Sequence, residues 1–482
     1  MAERKKKAVG SISIWLKLLF GLLPVLAFTG VAFAGWIIWD TNQKDTQERI
    51  DLANRRSEGE KTLFPISEAS LEKKDAIETF AKKDCANAVN KWNAYLERQP
   101  NPNDPEAVIY RNNAKICDQP SIKIAVILPL NPDKRDNIKI GKEILRGVAM
   151  SQNDANEGKG LPIKIILLND ENKSEIAKRV AKSLVLDNSI LAVMGHNASD
   201  ASLAAAPIYQ DAKLVMISST STSNNFSKQG EFIFRTVPSG YFQAKELSKY
   251  AVKKVGKKNI GICISNAAAS KSLKEDFTRS VLADEGKISP VECNLENLNF
   301  NADEVLQKMS EQNVDALLLA PGIQKIKEGI EIATVARKRF LLLSDSTLYT
   351  EDALIKGQDA ISDMILTTPW SFEYVQTHQD LSQSATKFID NAKKTWGGPV
   401  NWRSATSYDA ILAVTNGLRE GNSNSREGLQ KTLSRSSFVI KNGVVGTIAF
   451  LDTGDRADPK TFLVKVSKDA SSAIGYKFES VE

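Results

Sequence analysis

From Ser121 onward the chain alternates short Val- and Ile-rich runs with amphipathic stretches, and few folds accept that alternation. The apolar runs are Ile122–Leu130, Pro162–Asn169, Ile190–Gly195 and Leu214–Ser219, then Asn259–Ser265, Pro290–Asn294, Val314–Ala320 and Phe340–Asp345. Helical periodicity fills the gaps, at Ile138–Asn156, Glu175–Leu186, Ala201–Asp211, Ala244–Val255, Ser272–Asp284, Ala302–Gln312 and Ile326–Arg337. Runs that are apolar at every position fit strands covered on both faces, as in a parallel sheet. Strict strand–helix alternation implies doubly wound sheets. Two groups of strands imply two lobes around a cleft.

A later strand at Ser362–Thr368 precedes helices at Ser382–Thr395 and Ser407–Arg419. The tail reads as a hairpin, Gly446–Leu451 and Phe462–Val466 around Asp452-Thr453-Gly454-Asp455. The predicted fold class is therefore α/β, with two doubly wound lobes joined by a three-crossing hinge. Lobe 1 is expected over about 121–240 and 367–445, and lobe 2 over about 241–366 and 446–482. The crossings are expected near Pro238–Tyr241, Thr367–Pro369 and Gly443–Gly446.

Two segments precede this domain. Leu18–Trp39 carries no charge and has the roughly 20 residues needed to cross a bilayer. Arg4, Lys5, Lys6, Lys7 and Lys17 lie before it, which puts residues 1–17 in the cytoplasm and the bulk outside. A cleaved signal peptide is the rival, since Ala32-Phe33-Ala34 imitates a cleavage site, but the apolar run continues through Trp39. The expectation is a single-pass anchor in a bacterial inner membrane with a periplasmic body. A polar stalk is expected at 40–66 and a small helical segment at 67–117. In the latter, Phe80-Ala81-Lys82-Lys83-Asp84, Ala88, Leu96, Pro100 and Asp104-Pro105-Glu106-Ala107 resemble one unit of a tetratricopeptide-like repeat. The four cysteines then lie in an oxidising compartment. Cys85 with Cys117, and Cys263 with Cys293, are candidate pairs; four buried thiols are the alternative.

Net charge is +6, but five of the positive charges precede the apolar run, and no later Lys/Arg cluster interleaves with aromatics. Nucleic-acid binding is not expected. The two histidines, His196 and His378, have no ligand-spaced Cys, His or Asp set around them. No metal site, cofactor or hydrolytic centre is therefore expected. His196 reads as a hydrogen-bonded structural residue, and Asp170-Glu171 as a turn. No glycine-rich phosphate loop is present.

In open parallel sheets, ligands sit beyond the carboxyl ends of the strands. Two such ends here are hydroxyl-rich: Gly195-His196-Asn197-Ala198-Ser199-Asp200, and Ser218-Ser219-Thr220-Ser221-Thr222-Ser223-Asn224. Hydroxyls and free amides at a helix start suit a carboxylate. Such residues also serve as N-caps and turn formers.

Several stretches, in order, resemble the type I periplasmic binding proteins, nearest the branched-chain amino-acid receptors of ABC importers. They are Val193-Met194-Gly195-His196, Leu214-Val215-Met216-Ile217-Ser218, Phe234-Arg235-Thr236, Leu342-Leu343-Ser344-Asp345-Ser346, Thr368-Pro369-Trp370 and Ser407-Tyr408-Asp409-Ala410. The resemblance implies a small-molecule ligand, an amino acid or related carboxylate, with its carboxylate on Ser199, Thr220 and Thr222. The position where it implies an acid for the ligand ammonium is occupied by Ser346 or, shifted by one, by Asp345. It puts Tyr241 near the site and leaves Ala269 and about Gly322 where aromatics are usual. It further implies an ABC permease and ATPase as partners, and no enzymatic activity. The altered second-lobe positions keep open a ligand-free interaction scaffold, or a sensory receptor, on the same fold.

Overall fold

The computed structural model describes residues 46–65, 70–100, 103–158, 160–298, 300–377, 383–421 and 424–481. The chain divides into two compact units, 1–55 and 56–482. In the first, helix α1 (46–54) leads to Arg55, whose guanidinium pairs with Asp51 at 2.9 Å. The apolar run at 18–39 and His378 lie outside the described residues. Among the described residues no helix is long and apolar enough to cross a membrane.

The second unit opens with strand β1 (Arg56–Ser57) and three helices, α2 (Leu71–Ala81), α3 (Cys85–Glu97) and α4 (Pro105–Lys115). Each helix starts where its sequence supplies a cap: Ser70, Asp84 and Asp104 accept from the amides of Lys73, Asn87 and Ala107. Pro105 takes the first helical position, where no N–H is needed. Trp92, Tyr95 and Tyr110 are buried between the helices. Lys73 reaches both Asp104 and Glu106 at 2.7 Å. A Cys85–Cys117 disulfide joins the first residue of α3 to the end of the segment.

Part of the expected stalk belongs to this body. β1 adds an antiparallel edge strand, Arg56 opposite Leu168, and Ser57 and Phe64 are buried. Glu106 accepts from the Leu63 amide and the Thr62 hydroxyl, both at 2.7 Å. The polar composition of 56–65 concealed these specific bonds.

The first sheet runs β1-β3-β2-β4-β5-β6, with β2 (Ile122–Leu128), β3 (Ile163–Asn169), β4 (Ile190–Met194), β5 (Val215–Ser218) and β6 (Ile233–Arg235) parallel. Its helices include α5 (Arg135–Glu157), α6 (Ser174–Val185) and α7 (Ser199–Asp211). The chain then enters α8 (Gly240–Ser248) and the second sheet. That sheet carries β7 (Asn259–Ile264), β8 (Lys287–Ile288), β9 (Cys293–Asn294), β10 (Ala316–Ala320), β11 (Leu341–Ser344) and β12 (Ile365–Thr368). Helices α9 (Ala268–Ala283), α10 (Ala302–Glu311), α11 (Ile326–Ala336) and α12 (Glu351–Gly357) connect them. Cys263 and Cys293 face each other in the β7–β9 register and are bonded.

After β12 come α13 (Phe372–Thr377), α14 (Gln383–Trp396), α15 (Trp402–Glu420) and α16 (Arg426–Leu433). α15 returns to lobe 1, where Gly147 on α5 leaves no room for a Cβ against the Ser404 carbonyl. The expected tail hairpin is not formed. Residues 440–456 make only isolated bridges, and Phe450 packs edge-on to Phe234 of the first sheet. β13 (Phe462–Lys468) pairs instead with β12 and β14 (Tyr476–Ser480), both antiparallel. The third crossing therefore falls between Arg456 and Phe462, not at Gly443–Gly446. Arg456 fixes that point by pairing with buried Asp409 at 2.9 Å and donating to the Thr236 carbonyl at 3.2 Å.

Candidate functional site

The carboxyl ends of both sheets face one cleft. From lobe 1 come the β4–α7 turn, the loop after β5 and the start of α15; from lobe 2 come the loops after β7, β10 and β11. They enclose a cavity of about 50 Å3 whose wall includes Ser199, Thr220, Thr222, Ser346, Trp402 and Arg403. That exceeds one water's share of liquid, about 30 Å3, but falls below the about 300–1,000 Å3 of ligand sites. The lobes are drawn together here. Asp200 in the first turn of α7 accepts from the Ala268 amide of α9 at 3.2 Å, and the Ser223 and Ser272 hydroxyls lie 2.9 Å apart.

The lobe 1 wall has the chemistry expected for a carboxylate. Helix α7 has no side-chain N-cap, which leaves its first-turn amides uncapped by side chains. Thr220 donates to the Asn197 carbonyl at 2.9 Å, and Ser199 accepts from the Ser223 amide at 3.4 Å. The Thr222 hydroxyl bonds to no described residue, though Thr222 lines the cavity. The loop carrying it is held from below by Arg235. This buried guanidinium donates to the carbonyls of Ser221 at 3.2 Å and Ser223 at 2.8 Å, and pairs with Asp455 at 2.6 Å. Burial pulls the Arg235 pKa down, and Asp455 opposes that. Other serines of the loop are structural: Ser218 accepts the Ser221 amide at 3.1 Å, and Ser221 meets Ser202 at 2.6 Å.

His196 is also structural, as its position at a strand end suggested. Its ring sits 2.7 Å from Asp170 and 3.2 Å from the Tyr209 hydroxyl, all buried. Asp170 is thus a buried partner as well as a turn residue.

The lobe 2 expectations divide. Ser346 lines the cavity; Asp345 does not. Its carboxylate folds back on the Thr347 amide at 3.1 Å and hydroxyl at 3.0 Å, capping the turn at Ser346–Leu348. Burial raises its pKa, against the Thr347 bonds and the charge of Arg403. Tyr241 is also outside the cavity: it is 43% exposed and packs edge-on to Phe242. On α8 the buried positions are Gly240, Gln243, Ala244, Leu247 and Ser248, so helical geometry turns Tyr241 outward. Ala269 and Gly322 line the cavity, so small residues do stand there.

Sequence reading missed Trp402 and Arg403. It began the last long helix at Ser407, whereas Asn401 caps it by accepting the Arg403 amide at 2.9 Å. Asn401 immediately before Trp402, the first apolar residue of the helix, was the available signal. Arg403 is 2% exposed, stacks 4.4 Å from the Trp402 ring, and donates across the cleft to the Tyr349 carbonyl at 3.1 Å. It forms no ion pair with any described carboxylate. Burial lowers its pKa to about 10, with Glu143 and Asp345 opposing, so it is charged at neutral pH.

Two facing doubly wound lobes with strand-end loops in the cleft define a bilobal solute-binding architecture. Residues 121–471 match the periplasmic binding protein family, and the chain belongs to it. A leucine-, isoleucine-, valine-, threonine- and alanine-binding protein of Pseudomonas aeruginosa is 21% identical over 321 residues, covering 66% of this chain and 83% of that protein. A leucine-binding protein of Thermotoga maritima superposes with a TM-score of 0.64 at 21% identity, over 74% of this chain and 98% of its own. A solute-binding protein of an ABC transporter from Rhodopseudomonas palustris, in complex with 3,4-dihydroxybenzoic acid, gives 0.64 at 19% identity, over 75% and 96%. These relatives are solute-binding proteins, not enzymes.

Proposed function

We propose that the chain is the extracytoplasmic receptor of an ABC-type importer and binds a small carboxylate, an amino acid or a related acid. The observation that carries this is the lobe 1 wall, where Thr222 and the uncapped start of α7 stand ready to donate to an anion. The similarity to an amino-acid-binding protein and to a dihydroxybenzoate complex supports the carboxylate class. Lobe closure on a solute is a known mode for hinged binding proteins. The apolar run at 18–39 would tether the receptor beside a separately encoded permease and ATPase and raise its effective concentration there. Two disulfides accord with an oxidising compartment.

A thermal-shift screen of the purified protein against amino acids and small carboxylates tests the reading. A ligand at 100 times its Kd adds about 2.7 kcal/mol of stability. The second reading, a ligand-free interaction scaffold, draws on the small cavity of about 50 Å3 and the helical segment in front of it. Absence of any shift across the screen would favour it.

A further inference from the structure

Arg403 lies on the wall of a second, larger space. Next to the hydroxyl-lined cavity is one of about 430 Å3, formed by α5, the Tyr349–Leu354 segment and the β13–β14 hairpin, and Arg403 lines both. The larger space is within the range of small-molecule sites. Tyr349 and Phe478 stack in its wall at 4.1 Å, and Phe372, Tyr476, Val400 and Ile474 are among the other residues of the lining.

We infer that the ligand is an aryl carboxylate lacking an ammonium group, its carboxylate at Arg403 beside Thr222 and its ring in the larger cavity. The inference rests on the receptor reading above and sharpens its ligand class. Three observations converge. A buried cation with no ion-pair partner among the described residues is costly, and an incoming carboxylate supplies the missing charge. The Trp402 indole N–H, also buried, has no hydrogen-bond partner among the described residues. The acids around both cavities are already engaged. Asp200 caps α9, Asp345 caps its own turn, Glu143 pairs with Arg146 and accepts from Ser404, and Glu351 and Asp352 pair with Lys139. Asp136 lies 3.6 Å from Lys356. Glu373 accepts from Ser371 at 3.1 Å. The site thus has a cation for a carboxylate, aromatic walls for a ring and no unengaged carboxylate for an amine.

The test is calorimetric titration of the purified full chain with 3-phenylpropanoate and with phenylalanine, which differ only in the ammonium group. The expected result is at least tenfold tighter binding of 3-phenylpropanoate. Arg403→Gln should weaken it at least thirtyfold with the circular-dichroism spectrum unchanged. Ile474→Trp, which fills only the larger cavity, should weaken it at least tenfold and serves should Arg403→Gln not fold. Equal or tighter phenylalanine binding, or wild-type affinity in either folded variant, overturns the inference. Binding of leucine but not 3-phenylpropanoate overturns it and leaves the receptor reading standing. Binding of no amino acid or carboxylate overturns both.

Discussion

Thr222 and Ser223 are adjacent in sequence and opposite in use. Ser223 commits its hydroxyl to Ser272 and to the Asn225 amide, whereas the Thr222 hydroxyl has no partner among the described residues. Thr222→Ala should therefore leave the melting temperature unchanged and weaken a bound carboxylate by about 1–3 kcal/mol, the cost of losing a hydrogen bond to a charged group. Isothermal titration reads this directly, and unchanged affinity would remove Thr222 from the site. Asp409 makes the contrasting case. It is fully buried, accepts from the amides of Val444 at 2.7 Å and Val445 at 3.2 Å, and pairs with Arg456. Asp409→Ala would leave Arg456 buried without a counter-charge, and urea denaturation should show a loss of about 3–5 kcal/mol. At this scale the sequence pointed to Thr222, because a hydroxyl after a strand announces its place. It could not point to Arg403, whose role depends on which distant carbonyl and which cavity lie beside it.

Elements were more legible than residues where caps and periodicity agree. Asp84 after Lys82-Lys83 and Asp104-Pro105 fix the starts of α3 and α4, and both begin there. The tail was misread because Gly446–Leu451 has a strand-like pattern whose apolar side chains pack on Phe234 and Phe438 without a ladder. The tetratricopeptide-like likeness also concealed what holds the helical segment together, the Lys73–Asp104–Glu106 cluster. Burial alone would lower the Lys73 pKa, but attraction to Glu106 and Asp104 raises it overall. That contribution is present below the ordinary lysine value of about 10.5 and is lost only at still higher pH. Asp104 is lowered against its own burial by Lys73, so its contribution is present above about pH 3.8 and fades in acid. At pH 7 Lys73 and Asp104 are both charged. Lys73→Met should cost about 3–5 kcal/mol by stranding Glu106, which is 0% exposed. Urea unfolding monitored by circular dichroism checks this; a loss under about 1 kcal/mol, typical of an exposed pair, would contradict it.

Across the whole molecule, the two lobes meet at a carboxyl pair that should make closure depend on pH. Asp136 at the start of α5 faces Asp352 at the start of α12 on the other lobe, and Lys356 lies between them. Lys139 reaches across to Glu351 at 3.0 Å and to Asp352, and Lys356 lies 3.6 Å from Asp136 and 3.5 Å from Asp352. Burial and the neighbouring carboxyl push Asp136 up to about 6. Asp352 works against its own burial: the bonds from Asp136 and Lys139 bring it down to about 2. Opening the cleft separates the pair and returns both groups toward the ordinary carboxylate value, near 3.9. The closed form therefore holds one more proton than the open form between about pH 4 and 6, and closure weakens as pH rises through 6. The Asp352 contribution runs the other way and is lost only as pH falls toward about 2. Closure should be most favoured near pH 4, where the gain from protonated Asp136 is complete and the loss from protonating Asp352 has not begun. Fluorescence transfer between labels on the two lobes should report a larger closed fraction at pH 5 than at pH 7.5. Asp136→Asn keeps a hydrogen-bond donor at all pH values, so it should flatten that dependence and hold the closed fraction high at pH 7.5. A closed fraction that grows from pH 5 to 7.5, or a pH dependence unchanged in Asp136→Asn, would show that this pair does not set the closure equilibrium.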